Sequence, residues 1–291
     1  MYPKKSLSQN FLRDETVIQS IAKEANPSDT ILEIGAGEGA LTEKLAERAQ
    51  KVIAIEFDRD LLPKLLKRFP LSSNVSIIEG DILHTDIPSL LHQKESFLSL
   101  PQSHSSEISD ASSSPSSKSW CVFGNIPYAI TGKIIRLLSS LDPAPNKIVL
   151  MVQKEVAERI VAVDRASGKP DKESILSIAV KAYGTPRYVA TVKAGSFVPA
   201  PKVDSAIIAI ESISRNHFPT LHHEQVFFQL VKTGFAHKRK TLAGNLKNNW
   251  EPEIVDGAIA AVGLPVAVRA EEIRIETWVA LMHAVYEATY R

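Results

Sequence analysis

The chain has 291 residues, of which 44% are apolar and 23% charged, with a formal net charge of +1. That balance excludes a disordered or collagen-like chain, and 291 residues suit one large domain or one large and one small. No apolar run reaches the roughly 20 residues that a membrane-spanning helix needs. The start, Met1-Tyr2-Pro3-Lys4-Lys5, lacks the apolar core of a secretory signal. One cysteine, Cys121, excludes an intrachain disulfide and a cysteine cage, so no metal is expected and a reducing cytoplasm is the expected compartment.

In chain order, Asp14 is the expected N-cap of a first helix, with Val17, Ile18 and Ile21 on one side. Short runs rich in Ile and Val follow at 30–34, 51–57, 75–78, 120–123, 147–152, 188–192 and 206–210. Between the early runs lie stretches with helical spacing of apolar residues, at 41–49, 61–69 and 134–141. Strand–helix alternation of this kind predicts an α/β fold with a mostly parallel sheet covered on both faces. Residues 96–119 interrupt it: half of these positions are serine and none forms a periodic apolar face, which predicts a flexible surface insertion without chemistry. After about Ser212 the strand signals end. Helical patterns at 222–236, 253–262 and 275–286 predict a small all-helical C-terminal domain over 213–291, behind a catalytic domain over 1–212. Gly263 with Leu264-Pro265 is the expected stop of its middle helix. From Gln225 to Trp250 there are five Lys or Arg and no acid, a local basic patch in a nearly neutral chain.

The segment "ILEIGAGEGALTEKLAE" runs a strand into Gly35, Gly37 and Gly39 and then directly into a helix. Glycines allow positive φ and close backbone approach to a ligand. The next strand ends at Glu56, 21 residues beyond Gly35, where an acid can accept hydrogen bonds from a ribose diol. A third strand ends in "IIEGDIL", putting Asp81 where a carboxylate can accept from an exocyclic amine; a turn or cap role is the alternative. NAD and S-adenosylmethionine both suit this layout, although the third glycine falls one residue early for the usual NAD pattern.

The run Trp120–Phe123 stops at "GNIPY", residues 124–128. If the cofactor is S-adenosylmethionine, this strand end should deliver the acceptor site. An exocyclic adenine amine is a poor nucleophile because its lone pair is delocalised into the ring. Two acceptors, the Asn125 side-chain oxygen and the Ile126 carbonyl, would favour a pyramidal nitrogen. Pro127 holds Ile126 extended, and Tyr128 offers a face on which a base can stack, worth roughly 1–3 kcal/mol.

These segments together resemble the small-subunit rRNA adenine N6,N6-dimethyltransferases, a family of class I methyltransferases. The resemblance rests on "SQNFLRD" at 8–14, "EIGAGEGALT" at 33–42, "IEFDRDL" at 55–61, "GDIL" at 80–83, "GNIPY" at 124–128, "VQKEVAERI" at 152–160, "FVPAPKVDSAII" at 197–208 and "FAHKRKTLAGNL" at 235–246. It implies a Rossmann-like, mostly parallel seven-stranded sheet and S-adenosylmethionine as cofactor. It further implies that Asn10 and Leu12 lie against the cofactor with Gly35, Gly37, Glu56, Asp81 and Asn125. Asn125 and Tyr128 would meet the target base, and Phe197 would stack on its other face, a place in the core being its alternative. The implied substrate is small-subunit rRNA or a small-subunit precursor, bound in part by Lys238, Arg239 and Lys240, and the enzyme is expected to act as a monomer with no membrane association. In "HKRK" one planar guanidinium of the family pattern is replaced by lysine, which keeps the charge but loses a bidentate fork. "VQKEVAERI" reads as an amphipathic helix supporting the sheet, without chemistry.

Three rivals remain at this stage. The large-subunit rRNA adenine methyltransferases of macrolide resistance share the start and the N-I-P-Y turn, but "FVPAPKVDSAII" with "KRKTLAGNL" favours the small-subunit group. DNA adenine methyltransferases typically carry D-P-P-Y at this turn. A non-catalytic RNA-binding assembly factor could use the same fold, against which Glu56, Asp81 and Asn125 all stand intact.

Overall fold

A computed structural model of the chain describes residues 10–92, 119–126, 131–162 and 171–290. The serine-rich stretch up to residue 118, Pro127 and Tyr128 lie outside the described residues. Among the described residues no helix is long and apolar enough to cross a membrane.

One seven-stranded sheet organises the first two hundred residues. Its strands are β2 (Thr30–Ile34), β3 (Lys51–Glu56), β4 (Val75–Glu79), β5 (Trp120–Asn125), β6 (Lys147–Gln153), β7 (Thr185–Val192) and β9 (Ser205–Glu211), in the order β4-β3-β2-β5-β6-β9-β7. The first five run parallel; β9 is added antiparallel to β6, and β7 pairs antiparallel with β9 at the edge, so that it runs in the direction of the first five. The parallel strands are near-continuous Ile and Val runs because both faces are covered. On one face Ile31, Val52, Cys121 and Val149 pack with α1 (Glu15–Ala22) and α2 (Ala40–Ala46). On the other Leu32, Ile53, Val122 and Leu150 pack with α5 (Thr131–Ser139) and α6 (Lys154–Val161). The short helices α3 (Leu62–Arg68) and α4 (Ile87–His92) flank β4. Asp14 caps α1 as expected, its carboxylate accepting from the N–H groups of Thr16 and Val17.

A second, two-stranded sheet pairs β1 (Phe11–Leu12) with β8 (Phe197–Val198) antiparallel, Phe11 opposite Val198 and Leu12 opposite Phe197. Two-residue strands carry no periodicity, and the sequence reading holds no trace of this one. It is anchored by the Arg13 N–H donating to the Ser196 carbonyl at 2.8 Å and the Ser196 hydroxyl donating to Asp14 at 2.9 Å.

The C-terminal helices are α8 (Leu221–Gly234), α9 (Leu242–Leu246), α10 (Pro252–Ala261) and α11 (Ile275–Tyr290), packed around Phe227, Leu230, Leu246, Trp278 and Met282. Gly263 follows α10 at φ +68°, the left-handed stop expected there. Ile178 of α7 (Ile175–Lys181), with Ala182 and Tyr183, sits in the same cluster, so a helix from within the expected catalytic segment packs in the C-terminal core. The two expected domains therefore share apolar packing across the 212/213 boundary.

Ser119, expected as the last insertion residue, is hydrogen-bonded to the start of the sheet just before β5. Its carbonyl accepts from the Thr30 N–H at 3.0 Å and its hydroxyl donates to the buried Asp29 at 3.1 Å, which fixes the start of β2. Replacing 96–118 with a short glycine–serine linker is expected to leave the thermal midpoint unchanged. Extending the replacement through residue 119, with glycine at that position, is expected to cost about 1 kcal/mol for the lost side-chain hydrogen bond to Asp29, seen as a lower midpoint in scanning calorimetry.

Candidate active site

Strand β2 has β3 on one side and β5 on the other: the chain runs outward from β2 through β3 to β4, then crosses back to place β5 on the opposite side of β2, which reverses the strand order there. Open α/β sheets bind ligands at the carboxyl ends of strands that flank such a switch point. Gly35 ends β2 at φ +77°, and a Cβ on it would lie 3.6 Å from the backbone oxygen of Asn125, the last residue of β5. The glycine loop and the start of the N-I-P-Y turn thus meet where the sheet offers a crevice.

Asn125 is half-buried and its carboxamide nitrogen donates to the Asn10 carbonyl at 3.1 Å. A carbonyl oxygen only accepts, so the amide end facing Asn10 must be the NH2. That contact fixes which way the carboxamide points and directs Oδ1 away from Asn10 as an acceptor. Asn10, grouped by the resemblance with cofactor-binding residues, thus uses its backbone to orient Asn125.

Gly37, at φ +60°, occupies the middle of the glycine loop, and the Phe11 ring lies 3.4 Å from where its Cβ would be. The β1 strand therefore covers this loop. The Gly37 N–H donates to Glu56 Oε2 at 2.8 Å and the Asp58 N–H to Glu56 Oε1 at 2.7 Å. Burial pushes the Glu56 carboxyl up, while the Asp58 and Gly37 N–H groups pull it back. Each Glu56 oxygen keeps a second lone pair, so a diol can still donate to it. Phe57 follows with its ring 59% exposed at the same end of the sheet. The sequence signal for it is an aromatic directly after the acid that ends a strand.

Asp81 lies after β4 with its side chain 34% exposed. Oδ1 accepts from the Leu83 N–H and Oδ2 meets His84 Nδ1, each at 3.0 Å. The turn role weighed against a ligand role is therefore present; a ligand amine at Asp81 would share these oxygens with the turn.

Leu12 is a core residue, packed near Ile18 and Phe197. Phe197, expected as a stacking face for a base, is 2% exposed. Its ring is held in the core beneath β1, because the Leu12–Phe197 pairing turns both side chains inward. A base can reach that ring only if a neighbour withdraws. The exposed apolar side chain of β8 is Val198. Tyr128, its expected counterpart, lies outside the described residues.

Lys238, Arg239 and Lys240 are exposed in the turn between α8 and α9, away from the sheet's carboxyl edge in sequence but in one surface loop. Buried Asn245 holds that loop, its amide donating to the carbonyls of Gly234 at 2.6 Å and His237 at 3.1 Å. Thr241 caps α9, and the Leu242 N–H donates to the Val268 carbonyl at 2.8 Å. The basic side chains stand on a braced loop, and the asparagine that braces it lies in the same segment, "FAHKRKTLAGNL".

This fold, with a glycine loop, an acid closing the second parallel strand and an amide closing β5, defines a class I methyltransferase. The sequence profile of the ribosomal RNA adenine dimethylase family matches residues 2–286. The small-subunit rRNA methyltransferase A of Geobacillus thermodenitrificans is 39% identical over 97% of this chain and 90% of that protein. The protein of the same name from Rippkaea orientalis is 36% identical over 95% of each. Among solved structures, a dimethyladenosine transferase from Plasmodium falciparum superposes with a TM-score of 0.70 at 27% identity, covering 93% of this chain and 95% of that one. The 23S rRNA methyltransferase ErmE shares the fold, with a TM-score of 0.67 at 24% identity over 95% of this chain and 99% of its own. The chain belongs to the ribosomal RNA adenine dimethylase family.

One further acid lies behind the site. Glu33, inside β2, is buried, and burial pushes its carboxyl up to about 8, with the negative charge of Glu56 adding to the shift. Its ordinary value is 4.5. Between those values the folded protein holds a proton that the unfolded chain has released, so stability falls as pH rises through that window and levels above it. Glu33→Gln, neutral throughout, is expected to flatten that slope and to melt higher than the wild type at pH 8, measured by calorimetry from pH 5 to pH 9.

Proposed function

We propose that the chain transfers methyl groups from S-adenosylmethionine to N6 of two adjacent adenosines near the 3′ end of small-subunit rRNA, giving N6,N6-dimethyladenosines. Family membership supports the adenine chemistry, and the two curated relatives carry the small subunit in their names. The observation that carries the mechanism is the Asn125 carboxamide, oriented by the Asn10 carbonyl.

The residues present fit the cofactor. The positive-φ glycines let a ligand approach the backbone, buried Glu56 would accept from a ribose diol, and exposed Phe57 and part-exposed Asp81 would flank the adenine. When bound, the cofactor supplies an electrophilic methyl group on sulfur. The protein's part is alignment of the acceptor. Asn125 Oδ1 accepts one N–H of the adenine amine and the Ile126 carbonyl the other, which draws the nitrogen toward a pyramidal form. Holding two reactants in line is worth several kcal/mol of barrier; as the N–C bond forms the C–S bond would break to release S-adenosylhomocysteine, and the alkylated N6 would then lose its proton to water, so no strong base is needed. A monomethylated amine still carries one N–H for Asn125, so the same arrangement serves a second transfer. The target base must leave its stack to arrive here, and the exposed 238–240 loop gives the rRNA phosphates a cationic contact.

The test is incubation with labelled S-adenosylmethionine and unmethylated small or large ribosomal subunits, followed by mapping of modified adenines. Two adjacent dimethyladenosines near the 3′ end of the small-subunit rRNA are expected; label confined to the large subunit would overturn the assignment. Asn125→Ala is expected to lower turnover by about 10²–10³-fold, the scale for losing one oriented polar group at the reacting centre, with cofactor affinity by calorimetry unchanged. Replacing Lys238, Arg239 and Lys240 together with Ala is expected to weaken rRNA binding and to reduce its salt slope by about 2 to 3, read from filter binding across salt concentrations.

A further inference from the structure

Glu173 has a carboxylate that is 1% exposed, placed between the catalytic fold and the C-terminal helices. Its Oε1 accepts from Lys181 Nζ at 2.8 Å and from Arg274 Nη1 at 2.9 Å. Its backbone N–H donates to the Glu271 carbonyl at 2.8 Å, and Arg274 Nη1 also donates to the Asp171 carbonyl at 3.0 Å. Lys172 pairs with the Glu271 carboxylate alongside. Segment 171–174 is thereby tied to segment 271–274 by two side-chain ion pairs and two backbone contacts. Apolar packing of α7 against α8 would allow sliding; a buried carboxylate paired with Arg274 across the junction resists it, because displacing Arg274 leaves the buried charge with only Lys181 of its own segment.

Each end of this clamp leads to a functional element. The Asp171 N–H donates to the Ala162 carbonyl at 3.0 Å, at the end of α6, and α6 follows directly on β6, whose Met151 lies opposite Asn125. On the other side Glu271 is lowered mainly by Lys172, with Lys238 of the basic loop close enough to contribute, and Val268 holds the start of α9. The clamp is therefore a polar link between β6, which pairs with the strand that carries Asn125, and the loop that carries Lys238, Arg239 and Lys240; the Tyr183 hydroxyl donating to Glu224 of α8 is a second link between the two parts.

We propose that Glu173 is a positioning residue for the RNA: it sets the distance and angle between the basic loop and the pocket at Asn125, so that a duplex held at the loop presents its adenine at the amide. The inference rests on the reading of 238–240 as the rRNA contact. It touches neither cofactor nor base, so its loss acts on the presentation of the substrate.

The test uses the full chain with Glu173→Gln, which keeps the shape and removes the charge. The KM for unmethylated small subunits is expected to rise about tenfold, the scale for a small misplacement of a bound substrate, with kcat and cofactor affinity unchanged. Spin labels at Lys67→Cys and Glu253→Cys, both exposed, report the separation of the two parts directly; buried Cys121 is protected from the label. Pulsed electron resonance is expected to give one narrow distance distribution in the wild type and a broad or shifted one in Glu173→Gln. Arg274→Ala, at a side chain 40% exposed, carries the same measurements if Glu173→Gln does not fold. The double variant is expected to be no worse than Glu173→Gln alone, as for two members of one contact. A lower melting temperature with unchanged KM and unchanged distances would overturn the proposal and leave Glu173 a purely structural residue. The distance arm stands whether or not the rRNA assignment holds.

Discussion

One hydrogen bond, from the Asn125 amide to the Asn10 carbonyl, constrains everything else at this site. A carboxamide has an acceptor at one end and a donor at the other, nearly equal in size, and only a partner can tell them apart. Asn10 is that partner, reaching Asn125 from 115 positions earlier in the chain. Without it the side chain could offer its NH2 to an amine, which would repel rather than align it. The chemistry at the end of β5 therefore depends on where the N-terminal segment lies.

That segment is held by contacts that are individually modest. Arg13 pairs with Glu38 of the glycine loop, which also pairs with Lys64 at 2.9 Å. Such exposed pairs contribute about 0–1 kcal/mol each. The buried Leu12 and Phe197 side chains contribute about 1.5–3 kcal/mol each through removal from water. The inward turn of Phe197 is thus the anchor of β1, and through β1 of Asn10. Its place in "FVPAP" beside the site comes from supporting the amide. In the same way Glu56 serves two ends: its carboxylate shapes the loop through Gly37 while facing the crevice.

Much of this was legible in the sequence because the physics is local. The inner strands β2, β3, β5, β6 and β9 show as short apolar runs, since burial on both faces demands apolar side chains in succession, and the edge strands β4 and β7 show as shorter ones. The glycine loop is legible because positive φ selects glycine, and the acid at Glu56 because it closes a strand. Non-local features were not. The β1–β8 pairing, the sharing of α7 with the C-terminal core, the clamp at Glu173 and the docking of Ser119 on Asp29 all join segments far apart in the chain. Asn245 and Glu33 lay inside quoted motifs, yet only burial reveals that one braces a loop and the other keeps its proton near neutrality.

The most direct measurement of this account is a crystal structure of the protein with S-adenosylhomocysteine and an oligonucleotide carrying the target adenine. The account predicts the adenine N6 about 3 Å from Asn125 Oδ1, with the Asn125 amide nitrogen still donating to the Asn10 carbonyl. A carboxamide turned with its nitrogen toward the base, or an Asn10 carbonyl withdrawn from Asn125 in the complex, would contradict it.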